Sequence, residues 1–361
     1  MKSALVIAPG EYAGCESLHS EQAAEWHWVG DRSWLQRVVE WLVEGGVGQI
    51  EFVLCQGAQA IEEYFGTGER WGCQFRYRLC QDPSRPYRAL RARRDWPEWI
   101  WLVHSQWLAQ DRLPDLPEGQ AGLFMSAENW AGAAWMPGEK VVELANLPLE
   151  QVGPHLLGQG WSQETREFQV LDGPAALLVA NRKFLAESAW NRAGREVEPG
   201  IWLGRDVVLH PTAQLIAPVY ISPHCRIEAG CRVGPQAVLA SHVVVDRRTH
   251  LQDCLVSSGS YLGPGLDIQE SLVDPRRVLM ASSGFALYIN DPLLLSTTRP
   301  THELTRGLLS RLLASLLLIL SLLGRSSENS RQVVQQPSSP DSSKSPPLGL
   351  AVPICALPPS R

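Results

Sequence analysis

Lysine and arginine are absent from residues 3–31, no tryptophan follows Trp202, and no cysteine pair stands with histidine in zinc spacing. Each gap excludes something. The cation-free stretch holds Glu11, Glu16, Glu21, Glu25 and Asp31, so it is a poor place to bring a polyphosphate. None of the eight cysteines has metal spacing, and Cys225 and Cys231 read as small core residues, so a reducing, cytoplasmic compartment fits best. With a net charge of −6 and no basic patch to neutralise phosphates, nucleic acid is not an expected partner. The apolar run at residues 4–8 is too short for a secretory leader and has no cleavage site behind it. All fourteen tryptophans lie at or before Trp202 in a chain of 361 residues. That asymmetry predicts a domain boundary near residue 200.

What is present is a six-residue rhythm over residues 201–255. One column reads Leu203, Leu209, Leu215, Ile221, Ile227, Val233, Leu239, Val245 and Leu251. Two residues before each lies a second column: Ile201, Val207, Ala213, Val219, Cys225, Cys231, Ala237, Val243 and Thr249. No charge falls in either. A helix repeats every three or four residues and an ordinary sheet keeps no such phase. Short strands, with outer side chains inward and the middle one outward, satisfy the pattern. Stacked turns then bury one continuous core. Three hexapeptides per coil place outward residues eighteen apart on a common face. One face carries Gln214, Arg232 and His250, another Val208, Arg226 and Val244. The third carries Trp202, Tyr220, Val238 and Val256, an apolar stripe expected to dock the N-terminal domain or another protomer. The repeat resembles the left-handed parallel β-helix of hexapeptide proteins, expected over residues 201–265.

Ahead of the repeat, strand and helix signals alternate. Residues 3–8 (SALVIA) read as a buried strand, 33–44 as an amphipathic helix, and 49–55 as a strand. Residues 58–65 read as a helix, with strands at 74–80 and 99–103. Residues 122–126 and 175–180 read as further strands, and 181–193 as a helix. This order predicts a doubly wound α/β domain over residues 1–200, with ligands at the carboxyl ends of its strands.

The run SALVIAPGEYAG and the segment from Leu35 to Tyr77 resemble the N-terminal part of the nucleotidyltransferases that make NDP-sugars from a sugar 1-phosphate and a nucleoside triphosphate. A β-helix after such a domain is an arrangement that family uses. The resemblance implies a phosphate loop at Ala8, Gly10 and Gly14, a nucleotide or sugar phosphate as ligand, and carboxylates holding Mg²⁺. The chain departs from the pattern at several points. Pro9 removes an N–H donor, and the Arg and Lys expected at the loop and downstream are missing. The metal-binding Asp is replaced in the run Val103-His104-Ser105-Gln106. The substrate-contacting stretch reads Arg85-Pro86-Tyr87-Arg88-Ala89-Leu90. No catalytic residue, metal ligand or cofactor is therefore assigned, and Mg²⁺ is expected only if the site is active. The expected function is a catalytically degenerate binding or scaffold module in NDP-sugar and surface-polysaccharide metabolism. A working nucleotidyltransferase is the first alternative. A hexapeptide acyltransferase using His210, His224, His242 or His250 as base is the second.

Residues 266–303 read as a linker. Residues 304–323 (LTRGLLSRLLASLLLILSLL) read as a Leu-rich helix suited either to the cytoplasmic membrane surface or to packing on the apolar face of Trp202, Tyr220 and Val238. It resembles weakly the first helix of bacterial polyprenyl-phosphate sugar transferases. Residues 324–361, rich in Ser, Pro and Gln, read as disordered. A homo-oligomer through the β-helix is also expected.

Overall fold

Five strands with apolar side chains on both faces set the first half. The computed structural model describes residues 2–298 except 13, 19–22, 117–118 and 187–191, and only the backbone of Glu25. β1 (Lys2–Ala8), β2 (Val47–Leu54), β3 (Gln74–Leu79) and β4 (Trp99–His104) run parallel to one another. β5 (Gly122–Ser126) and β6 (Asn129–Pro137) extend the sheet with antiparallel pairings, and β7 (Ser162–Thr165) adds a parallel edge. The order is β7-β5-β6-β4-β1-β2-β3. Alternation along β1 sends Ala4, Val6 and Ala8 into one core and Leu5 and Ile7 into another. α1 (Trp34–Glu44) and α2 (Ala58–Phe65) cover the first face, and α3 (Leu149–Leu157) the second. Ser33 starts α1 by accepting a hydrogen bond from the Gln36 N–H at 3.2 Å. The expected parallel α/β sheet is thus a mixed sheet.

α4 (Pro174–Ala186) corrects the reading of residues 175–180 as a strand and of 181–193 as a separate helix. Ala176, Leu177, Leu178, Ala180, Phe184 and Leu185 are all buried. A helix covered on several sides is apolar all round, so it carries no helical stripe to read.

Beyond β8 (Arg195–Glu198), the chain winds in parallel steps of eighteen residues. Ile201, Trp202 and Leu203 pair with Val219, Tyr220 and Ile221, and Val208 pairs with Arg226. Gln214 pairs with Arg232, which pairs with His250. β9 (Ile201–Leu203), β10 (Val219–Ile221), β11 (Ala237–Leu239) and β12 (His250–Val256) stack in sequence. The inward columns form one core, from Val219 and Ile221 to Val256 and Leu262. Leu203, Val207 and Leu209 are only partly buried, since β8 pairs with the outer side of the first coil only along residues 201–203.

The step then shortens. Val238 pairs with Leu255 and Val244 with Tyr261, an offset of seventeen residues. The corner that held Gly234, Pro235 and Gln236 is rebuilt with Gln252 and Asp253 alone. A one-residue loss exchanges inward and outward positions. Val256 therefore sits in the coil core, and Leu255 takes the outward place expected for Val256.

Residues 266–303 are not a plain linker. β13 (Asp267–Asp274) adds another coil, and β14 (Arg277–Met280) and β15 (Ala286–Tyr288) continue the sheet antiparallel. β16 (Leu295–Thr297) pairs with residues 260–262. The three strands after β13 have only three or four residues each, too few for alternation to show in the sequence. Residues 1–299 pack as one unit, so the composition change near residue 200 is no break in packing. Among the described residues no helix is long and apolar enough to cross a membrane. The readings of 304–323 and 324–361 fall outside the described residues.

The outward row Trp202, Tyr220, Val238, Leu255, Leu272 and Leu279 belongs to the same apolar cluster as α4 and the α/β core. Truncating Leu255 to Ala should destabilise by about 2–5 kcal/mol, transfer and cavity terms together. Because thirteen of the fourteen tryptophans precede the coil, their fluorescence reports mainly the other half of the molecule. A lowered urea midpoint by tryptophan fluorescence is expected; an unchanged one would show that the halves unfold independently.

Candidate functional site

The loop after β1 lies at the carboxyl end of an interior strand, between β4 and β2. Ala8 ends the strand buried opposite Leu54. Gly10 and Gly14 both take left-handed conformations, with φ of +82° and +84°. A Cβ on Gly10 would stand 2.7 Å from that of Gln56, and one on Gly14 would stand 2.2 Å from the Asp172 carbonyl oxygen. These glycines let the chain pack against itself. The Gly14 N–H, a donor a phosphate would need, is directed to Glu16 Oε1 at 3.2 Å. Gln56 donates to Glu11, and the Pro9 and Gly10 carbonyls accept from the Gln56 and Ala24 N–H groups.

Side chains from afar seal the loop. Ser105 Oγ donates to the Ile7 carbonyl at 3.0 Å and meets the Tyr12 hydroxyl at 2.6 Å. Trp34 Nε1 donates to the Ser105 carbonyl at 2.8 Å, and Cys15 Sγ to that of Leu171 at 3.4 Å. Arg277, buried on β14, donates to the Ser17 and Leu18 carbonyls at 2.8 and 3.3 Å and to Asp274 Oδ2 at 2.6 Å. A distant cation does reach this loop, yet its donors grip the backbone. No sequence pattern links residue 277 to residue 17.

The acidic fringe is smaller than the sequence suggests. Asp31 faces Arg37 at 2.9 Å and Arg32 at 3.7 Å, away from any ligand role. Arg37 is itself buried, also donates to the Val29 carbonyl, and has its guanidinium lowered to about 10 by burial. Glu21 and the Glu25 side chain lie outside the described residues.

At the end of β4, in register with Ile7, stands His104. Its Nε2 lies 2.5 Å from the Tyr87 hydroxyl, and the Trp130 ring meets it edge-on at 4.6 Å. Burial lowers the imidazole to about 3 and raises the Tyr87 phenol well above its ordinary range. Both groups are neutral at physiological pH. A neutral imidazole and a serine do not fit a hard oxygen-seeking cation such as Mg²⁺. Among the described residues no group of three or more His, Cys, Asp or Glu is placed to hold a metal.

Two further arrangements stand elsewhere. On the coil, His224 Nδ1 lies 3.5 Å from Asp206, and the His224 and His242 ring centres are 4.9 Å apart with the planes tilted by 31°. All four candidate histidines are exposed. A groove of about 760 Å³ runs along β3 and α2, lined by Glu51, Thr67, Arg76, Tyr77 and Arg78 among others. Residues 76–94 concentrate seven arginines, a basic cluster that the net charge of −6 conceals. Arg78 and Arg93 are spent on the buried carboxylate of Glu51. Of the expected docking row, Trp202, Tyr220 and Val238 lie side by side under the α/β half, while Val256 does not. Tyr220 donates to the Ala193 carbonyl at 2.8 Å and meets Phe184 edge-on.

No family model matches the chain, and no curated protein matches it. Among solved structures it is similar to a protein described as a glucose-1-phosphate thymidylyltransferase of Bacillus anthracis, solved with sucrose. The identity there is 10%, the TM-score 0.43, and the match covers 53% of this chain and 97% of that one. It is also similar to HddC of Yersinia pseudotuberculosis, solved with GMP-PN, at 11% identity and a TM-score of 0.40, over 51% of this chain and 100% of that one. Likeness at this level transfers no chemistry.

Burial of His104 has a consequence for stability. Below about pH 6.5 the unfolded chain binds a proton there that the folded chain refuses until about pH 3. Stability should therefore fall as pH drops through that window, by up to about 1.4 kcal/mol per pH unit from this group. Urea unfolding of wild type and His104→Gln from pH 7 to pH 4 should show a shallower loss in the variant. Parallel curves, or an NMR titration of His104 near pH 6, would contradict the neutral pair.

Proposed function

We propose that this chain is a nucleotidyltransferase-like protein that no longer transfers nucleotides and serves as a binding or scaffold module in NDP-sugar and surface-polysaccharide metabolism. In this reading the α/β half is the relic of the transferase, and the three-faced coil is a left-handed β-helix of hexapeptide repeats. The observation that carries it is the closed loop: the Gly14 N–H is satisfied by Glu16, and the space at Gly14 is taken by the Asp172 backbone. A phosphate cradle needs backbone donors facing open space. The neutral His104–Tyr87 pair supports the same reading, since phosphoryl transfer needs fixed charge around the phosphates and metal. The cytoplasmic site of action and a membrane-surface role for residues 304–323 belong to this proposal. An acyltransferase is less well supported, because His224 and its Asp206 neighbour are both exposed.

The test is calorimetric titration of the full chain with each nucleoside triphosphate and Mg²⁺, beside a pyrophosphate-release assay with a panel of sugar 1-phosphates. No turnover and no Mg²⁺-dependent binding are expected. Turnover with any pair of substrates would overturn the inactive reading and restore the transferase.

A further inference from the structure

Three open sheet edges in this molecule are guarded by charge. β3 carries Arg76 and Arg78, β7 carries Glu164, and β8 carries Arg195, Glu196 and Glu198. Charged side chains on an edge strand discourage pairing with another chain. β15, the last strand of the large sheet, has no such guard. From residue 284 to 290 the sequence reads GFALYIN, without a charge. Phe285, Leu287 and Tyr288 are each more than half exposed, and Leu293 nearby is 72% exposed.

The backbone of this edge is also directed. β15 pairs with β14 through Tyr288–Arg277, Leu287–Val278 and Ala286–Leu279. The Ile289 N–H donates to the Arg276 carbonyl, and the Phe285 carbonyl accepts from the Met280 N–H. Alternate residues of an antiparallel strand send both backbone groups to the same side. Residues 285, 287 and 289 therefore face β14, and Ala286 and Tyr288 present N–H and C=O outward. Among the described residues no strand takes them up.

We propose that this edge pairs with a second copy of the chain, antiparallel, about a two-fold axis through Leu287. In that register Ala286 exchanges both backbone hydrogen bonds with Tyr288 of the partner subunit, and symmetry repeats the exchange. Leu287 faces the partner's Leu287 as a non-hydrogen-bonded pair, with Cα atoms about 4.5 Å apart. Phe285 stands opposite the partner's Ile289. The seven uncharged residues make the edge self-complementary, as an isologous contact requires, and no like charges oppose each other across it. The pairing continues the sheet through both molecules and covers the apolar end of the coil, which a stacked-coil fold must cap.

Sedimentation of the full chain should give twice the 40.0 kDa protomer mass. Ala286→Pro removes only an outward N–H, so the hairpin keeps its own bonds while the dimer weakens by about tenfold or more. Leu287→Cys should oxidise to a disulfide-linked dimer, since the pair geometry lies within disulfide reach. Phe285→Cys should not link to its own copy, and wild type under the same oxidation gives the background. A monomer at the highest soluble concentration overturns the proposal. So does cross-linking of Leu287→Cys no greater than background, or a dimer that survives both Ala286→Pro and Leu287→Lys. The Leu287→Cys result decides even if the proline variant unfolds the hairpin.

Discussion

The rest of the structure depends on burial of α4 between two apolar surfaces. One side packs with the α/β core; the other meets the outward row of the coil, from Tyr220 through Leu255 to Leu272. Neither surface is stable in water alone, and burial of each large side chain contributes about 1.5–3 kcal/mol. Polar ties fix the register of this contact. Arg182 on α4 pairs with Asp253, which sits at the corner where the coil first loses a residue. The shortened step thus places Leu255 in the apolar row and Asp253 opposite the helix at once.

That packing bears on the candidate site. The hairpin at the end of the coil carries Arg277 to the loop after β1, where it holds the Ser17 and Leu18 carbonyls. The coil therefore ties down the loop after β1 from a distant part of the chain. Tyr12, Ser105 and Trp34 hold the loop from the sheet side. Opening it would break the hydrogen bonds of Arg277 to the Ser17 and Leu18 carbonyls and of Tyr12 to Ser105, and breaking buried hydrogen bonds is costly. Closure is a property of the whole packing, not of the loop's own sequence.

Legibility followed the range of the interaction responsible. β1, α1, β2 and α2 were visible because one-sided or two-sided burial prints a local period. The coil was visible because stacking repeats the same demand every six residues. α4 was hidden by its burial on all sides, and the strands after residue 266 by their brevity. At the site, the lack of cations in residues 3–31 was plain. Arg277 was not, and neither was the pairing of Asp31 with Arg37, which removes one acid from the fringe.

By itself the sequence determined a coil of inward-facing triplets, an α/β half rich in tryptophan, and a loop poor in positive charge. These follow from side-chain chemistry at fixed spacing, which any stacking of the repeat must respect. Only the tertiary structure decided which outward residues are covered, that Val256 turns inward while Leu255 docks, and that Gly14 faces Asp172 instead of open space. Those outcomes turn on a one-residue change in coil length and on contacts between residues more than a hundred positions apart, and neither leaves a local period to read.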